Sequence, residues 1–356
     1  MTSHANVEQG AASYLPLPPK SDPAEKSRKP RKRLTVEVAE EGVNGYAQSW
    51  YPLCFSSDVK AGDIKGVDFL NGRVIVFRAK DGSPRVMSAY CSHLGADLAA
   101  GGELIDDRVR CPFHYWEYDT NGQCSTTGIG DPVPPGACLF KFPACEKFGL
   151  IWAFNGEEAL WEIPQIFPYS HDQLWIMPDI DPFDWPVDPW VLSANTPDWN
   201  HLRVVHGLES PDFHRVDDII KWHKYGFHYH IDGVVRGVPI SYDRGILGTT
   251  IFYMYGIYNG KWFGALSVFN QPKKGHTIHY PVVAILRSDA PTEAERDSKL
   301  KDILTVATNM ANEDKGIMQA IRYRRGTLTK VDSALAKFFD YVRNYPRANP
   351  AEDFLR

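Results

Sequence analysis

Tyr90–Trp116 reads YCSHLGADLAAGGELIDDRVRCPFHYW, and it pairs a thiol with an imidazole twice: Cys91 with His93, and Cys111 with His114. Residues 94–110 lie between the pairs, enough chain for a β-hairpin. Two thiolates and two imidazoles suit either tetrahedral zinc or a [2Fe-2S] cluster in which two Cys hold one iron and two His the other. Zinc fingers of this composition put both Cys in one pair and both His in the other. Here each loop gives one of each, which favours the cluster and leaves zinc as the alternative. Gly95, Gly101, Gly102 and Pro112 suit loops that wrap a cluster closely. Neutral imidazoles make such a cluster less negative and raise its potential, so that it can accept electrons and pass them on.

Working outward, segments such as GRVIVFRAKDG, YWEYDTNGQC and FGLIWAFNGEE alternate β-formers with Asp-Gly and Asn-Gly turn signals. Residues 46–161 are therefore expected to form an all-β domain holding the cluster. After a Pro- and Trp-rich connection, 162–356 are expected to form a second domain: an antiparallel sheet flanked by helices over about 197–206 and 292–325. The fold class is α+β. Residues 1–45 read as a polar lead-in whose basic run KSRKPRKR (26–33) suits a solvated tail, with docking to a partner or membrane surface as the alternative.

A second constellation sits in NTPDWNHLRVVHGLE (195–209), where His201 and His206 stand five residues apart. At about 100° per residue, both rings meet one metal only if the helix is distorted or His206 lies beyond its end, and Gly207 is a plausible stop. Two His and one carboxylate on one face leave open positions on Fe(II) for O2 and substrate. The carboxylate chosen is Asp314, on a predicted inward stripe of Ile303, Ala307, Met310, Ile317 and Ile321. Glu313 points about 100° away and is expected to be solvated. An ion pair between Asp314 and Arg322, Arg324 or Arg325 is the alternative. Asp198 suits a link between the two metals, accepting hydrogen bonds from His201 and a cluster-ligating His; a helix N-cap is compatible with that role.

The 356 residues are 43% hydrophobic with net charge −5, which gives no overall electrostatic case for nucleic acid or an anionic membrane. No run of about 18 apolar residues suggests a membrane span, and the N-terminus lacks the order of a signal peptide, so cytoplasmic residence is expected. Cys54, Cys124, Cys138 and Cys145 are expected to be small buried hydrophobes. Between Gly245 and Gln271 the one charged residue is Lys261, while Phe252, Tyr253, Met254, Tyr255, Tyr258, Trp262 and Phe263 crowd the strands. A small apolar, ring-containing substrate fits them, as does ordinary core packing.

Over about 46–325 the sequence resembles the Rieske non-haem iron oxygenases. AYCSHLGADLAAGGELIDDRVRCPFHYWEYDTNGQC and NEDKGIMQAIRYR are most similar to the class of 3-ketosteroid 9α-hydroxylases, cholesterol 7-desaturases and demethylases. The resemblance implies a helix-grip-like catalytic domain and a head-to-tail homotrimer, with the cluster of one subunit beside the iron of the next. It also implies that Cys91, His93, Cys111 and His114 hold the [2Fe-2S] cluster and that His201, His206 and Asp314 hold mononuclear Fe(II), with Asp198 bridging subunits. Tyr115 departs from the pattern, since many relatives have Gly before the Trp. The expected activity is monooxygenation, by hydroxylation or oxidative demethylation, using O2 and NAD(P)H electrons delivered by a separate reductase, with or without a ferredoxin. The alternatives are a dihydroxylating dioxygenase and an electron-transfer protein with a non-catalytic second domain.

Overall fold

The computed structural model describes residues 41–178, 181–321 and 328–355. The basic run 26–33 and the arginines at 322, 324 and 325 lie outside the described residues.

Three small antiparallel sheets build the first half. Strands β1 (Trp50–Phe55), β2 (Ile64–Phe69), β3 (Gly72–Arg78) and β4 (Pro84–Ser88) precede the four strands that carry the cluster loops: β5 (Glu103–Ile105), β6 (Arg108–Arg110), β7 (Glu117–Tyr118) and β8 (Cys124–Thr126). Then come β9 (Lys141–Phe142), β10 (Ala144–Lys147) and β11 (Leu150–Phe154). The sheets run β9–β4–β3–β2, β10–β11–β1 and β5–β6–β7–β8. Strands β1, β3 and β11 are mostly buried, whereas the cluster sheet β5–β8 buries only Val109, Glu117 and Tyr118. Turn chemistry matches the sequence in part. Gly82 and Gly122 adopt positive φ as the Asp-Gly and Asn-Gly signals predict, but β5 and β6 are joined through Asp106 and Asp107, both left-handed at φ 48° and 65°. Two successive positive φ values define a type I′ hairpin, which Asp tolerates better than most residues.

The second half is one nine-stranded antiparallel sheet. Its strands are β12 (Leu174–Pro178), β13 (Phe183–Trp185), β14 (Leu208–Glu209), β15 (Lys221–His223), β16 (Gly226–Val235), β17 (Val238–Leu247), β18 (Ile251–Tyr258), β19 (Lys261–Lys273) and β20 (His276–Leu286). The order is β12–β20–β19–β18–β17–β16–β14, with β13 on β20 and β15 on β16. Helix α1 (Trp199–Val204) is shorter than the predicted 197–206 because Asp198 caps it and Gly207, at φ 67°, reverses the chain beyond it. The long α2 (Glu293–Ala320) starts at Thr292, whose hydroxyl and the Glu295 carboxylate form a capping box. It lies on β20 through Leu300, against Val283 and Ile285. Helix α3 (Ser333–Asn344) buries Phe338 and Phe339 against Trp190 and Phe227, each such burial contributing about 2–3 kcal/mol.

One feature of the α2 stripe differs from expectation. Ile317 is 51% exposed and Met318 is the buried residue, with Ala311 packed beside it. The apolar face is centred on Leu300, Ala307, Ala311, Asp314 and Met318, one residue further round the helix than a stripe through Ile317.

The two halves share a core, in which Trp50, Leu150 and Trp152 pack with Ile251, Leu266 and Val282. The first and last described segments are joined as well. Tyr46–Ala47 pairs with Arg347–Ala348, the Asn155 amide donates to the carbonyls of Tyr46, Ala47 and Ala348, and buried Glu41 accepts both Nη atoms of Arg347. Ala351 and Leu355 finish the core that holds Tyr51 and Phe69.

Candidate metal centres

Cys91 and Cys111 are buried, 4% and 1% exposed, on the core of Ile75, Phe77, Met87, Leu98 and Val109, while His93 is exposed and His114 half-buried. The imidazoles stand together at the tip, centroids 4.7 Å apart, and His93 stacks on Trp116 at 4.5 Å and 5°. Thiols inside and imidazoles outside fit a [2Fe-2S] cluster whose Cys-held iron is buried and whose His-held iron faces outward. The loops are drawn together by backbone contact. A Cβ on Gly102 would meet the Leu98 carbonyl oxygen at 2.2 Å, and one on Gly128 would meet that of His114 at 2.1 Å. Tyr115, between His114 and Trp116, sits at φ 57°. That left-handed position is one glycine adopts freely, which is the physical content of the departure noted in the sequence. Its exposed ring lies 5.8 Å from the Arg110 guanidinium.

Tyr118 is a residue the sequence reading passed over. Its buried hydroxyl lies 3.0 Å from Cys91 Sγ and accepts the Ser92 N–H at 3.1 Å. With Cys91 as a thiolate ligand, the O–H donates to sulfur.

The other cysteines divide. Cys54 is buried as expected, and burial pushes its thiol up to about 12. Cys124, Cys138 and Cys145 are only half-buried, since each lies on a short edge strand or loop that leaves one side open.

His201, His206 and Asp314 converge in the second half. His201 Nε2 and His206 Nε2 are 3.0 Å apart, and they stand 3.5 and 3.6 Å from Asp314 Oδ1. With ligand bonds of about 2.1 Å, adjacent donors around one divalent ion stand about 3.0 Å apart, so the spacing fits one metal. Two observations show that the arrangement suits a cation. Asp314 Oδ1 is buried with no hydrogen-bond partner, and His206, with Nδ1 2.9 Å from Glu313 Oε2, turns the lone pair of its neutral form toward His201. Burial lifts the Asp314 carboxyl to about 6, although His206 and the Asn195 amide, 3.3 Å from Oδ2, oppose it. Burial likewise pushes His201 down to about 3, with the neighbouring His206 adding to the effect, so the imidazole is a neutral donor near pH 7.

Glu313 is therefore no solvated bystander. It accepts from His206 and from Arg236, because His206 lies past the end of α1 and reaches the side of α2 that a helical projection assigns to solvent. Asn195 was also passed over, and no periodic signal marks it. Asp198 accepts the backbone N–H of His201 at 2.9 Å, the cap of α1, and its half-buried carboxyl is raised chiefly by desolvation. Within the chain its contact with His201 is to the backbone, not the ring.

A cavity of about 140 Å³ opens beside the triad, lined by Trp185, Leu192, Phe252, Met254, Phe269, Val283 and Met310, among others. A second, of about 260 Å³, shares Leu202, His206, Arg244, Met254 and Met310 with it and adds Tyr258 and Phe263. The aromatic strands thus split by their period of two. Phe252 and Met254 face the cavity, whereas Tyr253, Tyr255 and Trp262 pack in the core shared with the first half.

Residues 49–135 match the Rieske [2Fe-2S] domain family. The chain is 35% identical over 167 residues to cholesterol 7-desaturase of Bombyx mori, covering 45% of this chain and 36% of that one. It is 30% identical over 159 residues to the oxygenase component of 3-ketosteroid-9-alpha-monooxygenase of Rhodococcus rhodochrous, covering 45% and 37%. The chain thus spans about a third of the length of these curated relatives. Among solved structures, dicamba monooxygenase bound to dicamba superposes with TM-score 0.62 at 16% identity, covering 83% of this chain and 96% of that one. NdmA of Pseudomonas putida CBB5 with caffeine gives 0.64 at 21%, covering 83% and 88%. These likenesses are of fold.

Proposed function

We propose that this chain, which carries a Rieske [2Fe-2S] domain and shares the fold of dicamba monooxygenase, is a Rieske oxygenase alpha subunit and works as the terminal monooxygenase of a multicomponent system on an apolar ring substrate. The observation that carries the reading is the orphaned Asp314 oxygen facing two imidazoles on the wall of an apolar cavity. Cys91, Cys111, His93 and His114 would hold a cluster that relays electrons from a reductase, and His201, His206 and Asp314 an iron that activates O2. Leu192, Phe252 and Met254 exclude water and seat the ring. Glu313 and Asn195 hold the ligand atoms in register. The trimer, with Asp198 at the crossing between subunits, belongs to the same proposal.

Metal analysis tests it. Purified chain should hold about three irons and two sulfides. Asp314→Ala should drop to about two irons with the cluster's visible spectrum intact. Two irons in the unaltered chain, or no loss on substitution, would refute the oxygenase reading and leave an electron carrier.

Desaturation is the second reading, favoured by the likeness to a cholesterol 7-desaturase. With labelled O2, monooxygenation puts one labelled atom in the product, dihydroxylation two, and desaturation none.

A further inference from the structure

Arg244 stands mid-strand on β17 and is 6% exposed. Its guanidinium carbon lies 5.0 Å from the Phe252 ring centroid, 5.8 Å from Tyr229 and 6.0 Å from Tyr242. Nη1 reaches the Tyr242 hydroxyl only at 3.5 Å, and Nε is buried with no partner. Among the described residues no carboxylate forms an ion pair with it. Of the acidic groups on the two cavity walls, Glu313 pairs with His206 and Arg236, and Asp314, which faces His201 and His206, attracts the guanidinium only from beyond ion-pair distance. Three aromatic faces attract the cation but accept no in-plane hydrogen bond from Nε. A buried charge left in this state is costly, and cores avoid it unless a partner arrives.

Arg244 lines both cavities beside the triad, so that partner has room. The remaining orphaned nitrogens on the first cavity belong to Trp185 and His279, at its far side: His279 is on β20, three strands from β17. Burial pushes His279 down to about 3, which keeps it neutral near pH 7. Among the described residues that line the first cavity, Arg244 is the one Lys or Arg.

We infer that the substrate carries an anionic oxygen group, a carboxylate or its equivalent, on its apolar frame, and that Arg244 grips it. The planar fork matches a carboxylate in two hydrogen bonds. Held so, the frame lies along Phe252 and Met254, and the distance from the anionic group selects which carbon faces the triad. This rests on the oxygenase reading only in taking the cavity as the substrate site.

Calorimetric titration of the holoenzyme without reductant tests it. The probes are 2-naphthoate and adamantane-1-carboxylate against 2-naphthamide and adamantane-1-carboxamide. Each acid should bind at least about tenfold tighter than its amide. Arg244→Gln should erase the preference, and Arg244→Lys should keep part of it. Asp314→Ala should retain it, which separates the guanidinium from direct ligation of acid to metal. Equal binding of acid and amide by the unaltered enzyme overturns the inference, as does a preference that survives Arg244→Gln or vanishes in Asp314→Ala. Iron content, measured on the same samples, reports separately on the oxygenase reading.

Discussion

Removing the Tyr118 hydroxyl takes a hydrogen bond from the Cys91 sulfur, and the consequence is electrical. A donor to cluster sulfur stabilises the more negative, reduced state and so raises the potential. Tyr118→Phe should therefore lower the cluster potential by tens of millivolts, on the order expected for one such bond, as read by redox titration followed by electron paramagnetic resonance. An unchanged potential would show that the hydroxyl does not donate to sulfur. Glu313→Gln weakens the acceptor behind His206, so affinity for the mononuclear metal should fall by about 10–100-fold with the cluster spectrum unaltered. That affinity should also depend on pH in one direction. Metal binding requires the Asp314 carboxylate, whose proton leaves at about 6, whereas His201 at about 3 is neutral throughout. Binding should weaken as pH falls through about 6, measured by titration with Co(II); a break near the ordinary carboxylate range would contradict this. At this scale the sequence revealed ligands and hid their supports. Cys, His and Asp at fixed spacing announce metal, but Glu313 acts only because His206 lies past the end of α1 and meets α2, and Asn195 only because the chain before α1 reaches Asp314. Arg244 lies one residue before the stretch whose lack of charge drew notice.

Hairpin β5–β6, which spaces the cluster loops, is fastened to β7 by ionic contacts. Glu117 is buried and accepts from Arg108 Nε at 2.6 Å and from Arg110 Nε and Nη2 at 2.9 and 2.7 Å. Burial pushes its carboxyl up, but the two arginines prevail and hold it below the usual range. A depressed folded pKa gives stability that is present above the unfolded value and lost as pH falls through the folded one. Glu117→Gln should thus cost about 1.5–3 kcal/mol near pH 7 and less in acid, by chemical denaturation at both pH values; an equal cost at both would exclude the ionic account. Helix α2 gives a second contrast. Met318→Ala should cost about 2–5 kcal/mol and Ile317→Ala within about 0.5 kcal/mol, whereas a stripe through Ile317 requires the reverse. The helix itself was legible from the Thr292 cap and its spacing. Its inward face was not, because apolar residues occur at both 317 and 318 and only the packing of Ala311 against the sheet decides between them.

For the whole molecule, the proposed trimer makes a quantitative claim. Three chains of 40.2 kDa give a particle of about 121 kDa, measurable by light scattering. If electrons cross between subunits, mixing equal amounts of cluster-dead His93→Ala and iron-dead Asp314→Ala chains during co-expression restores about one quarter of full activity, since each crossing needs one intact partner of each kind. No recovery would confine transfer to a single chain. The two-part architecture was legible in the sequence because β-period segments give way at a Pro- and Trp-rich connection. The closing strap was not, because Arg347–Ala348, Ala351 and Leu355 carry no pattern of their own and acquire meaning only through Glu41, Asn155 and the Tyr51–Phe69 core. That strap bears on biosynthesis. The residues that close the Tyr51–Phe69 core of the redox half follow the whole catalytic half in sequence, so a nascent chain leaves that core open until translation has passed Leu355. A chain cut after Asn344 would then keep every proposed metal ligand and leave the Tyr51–Phe69 core without its closing strap.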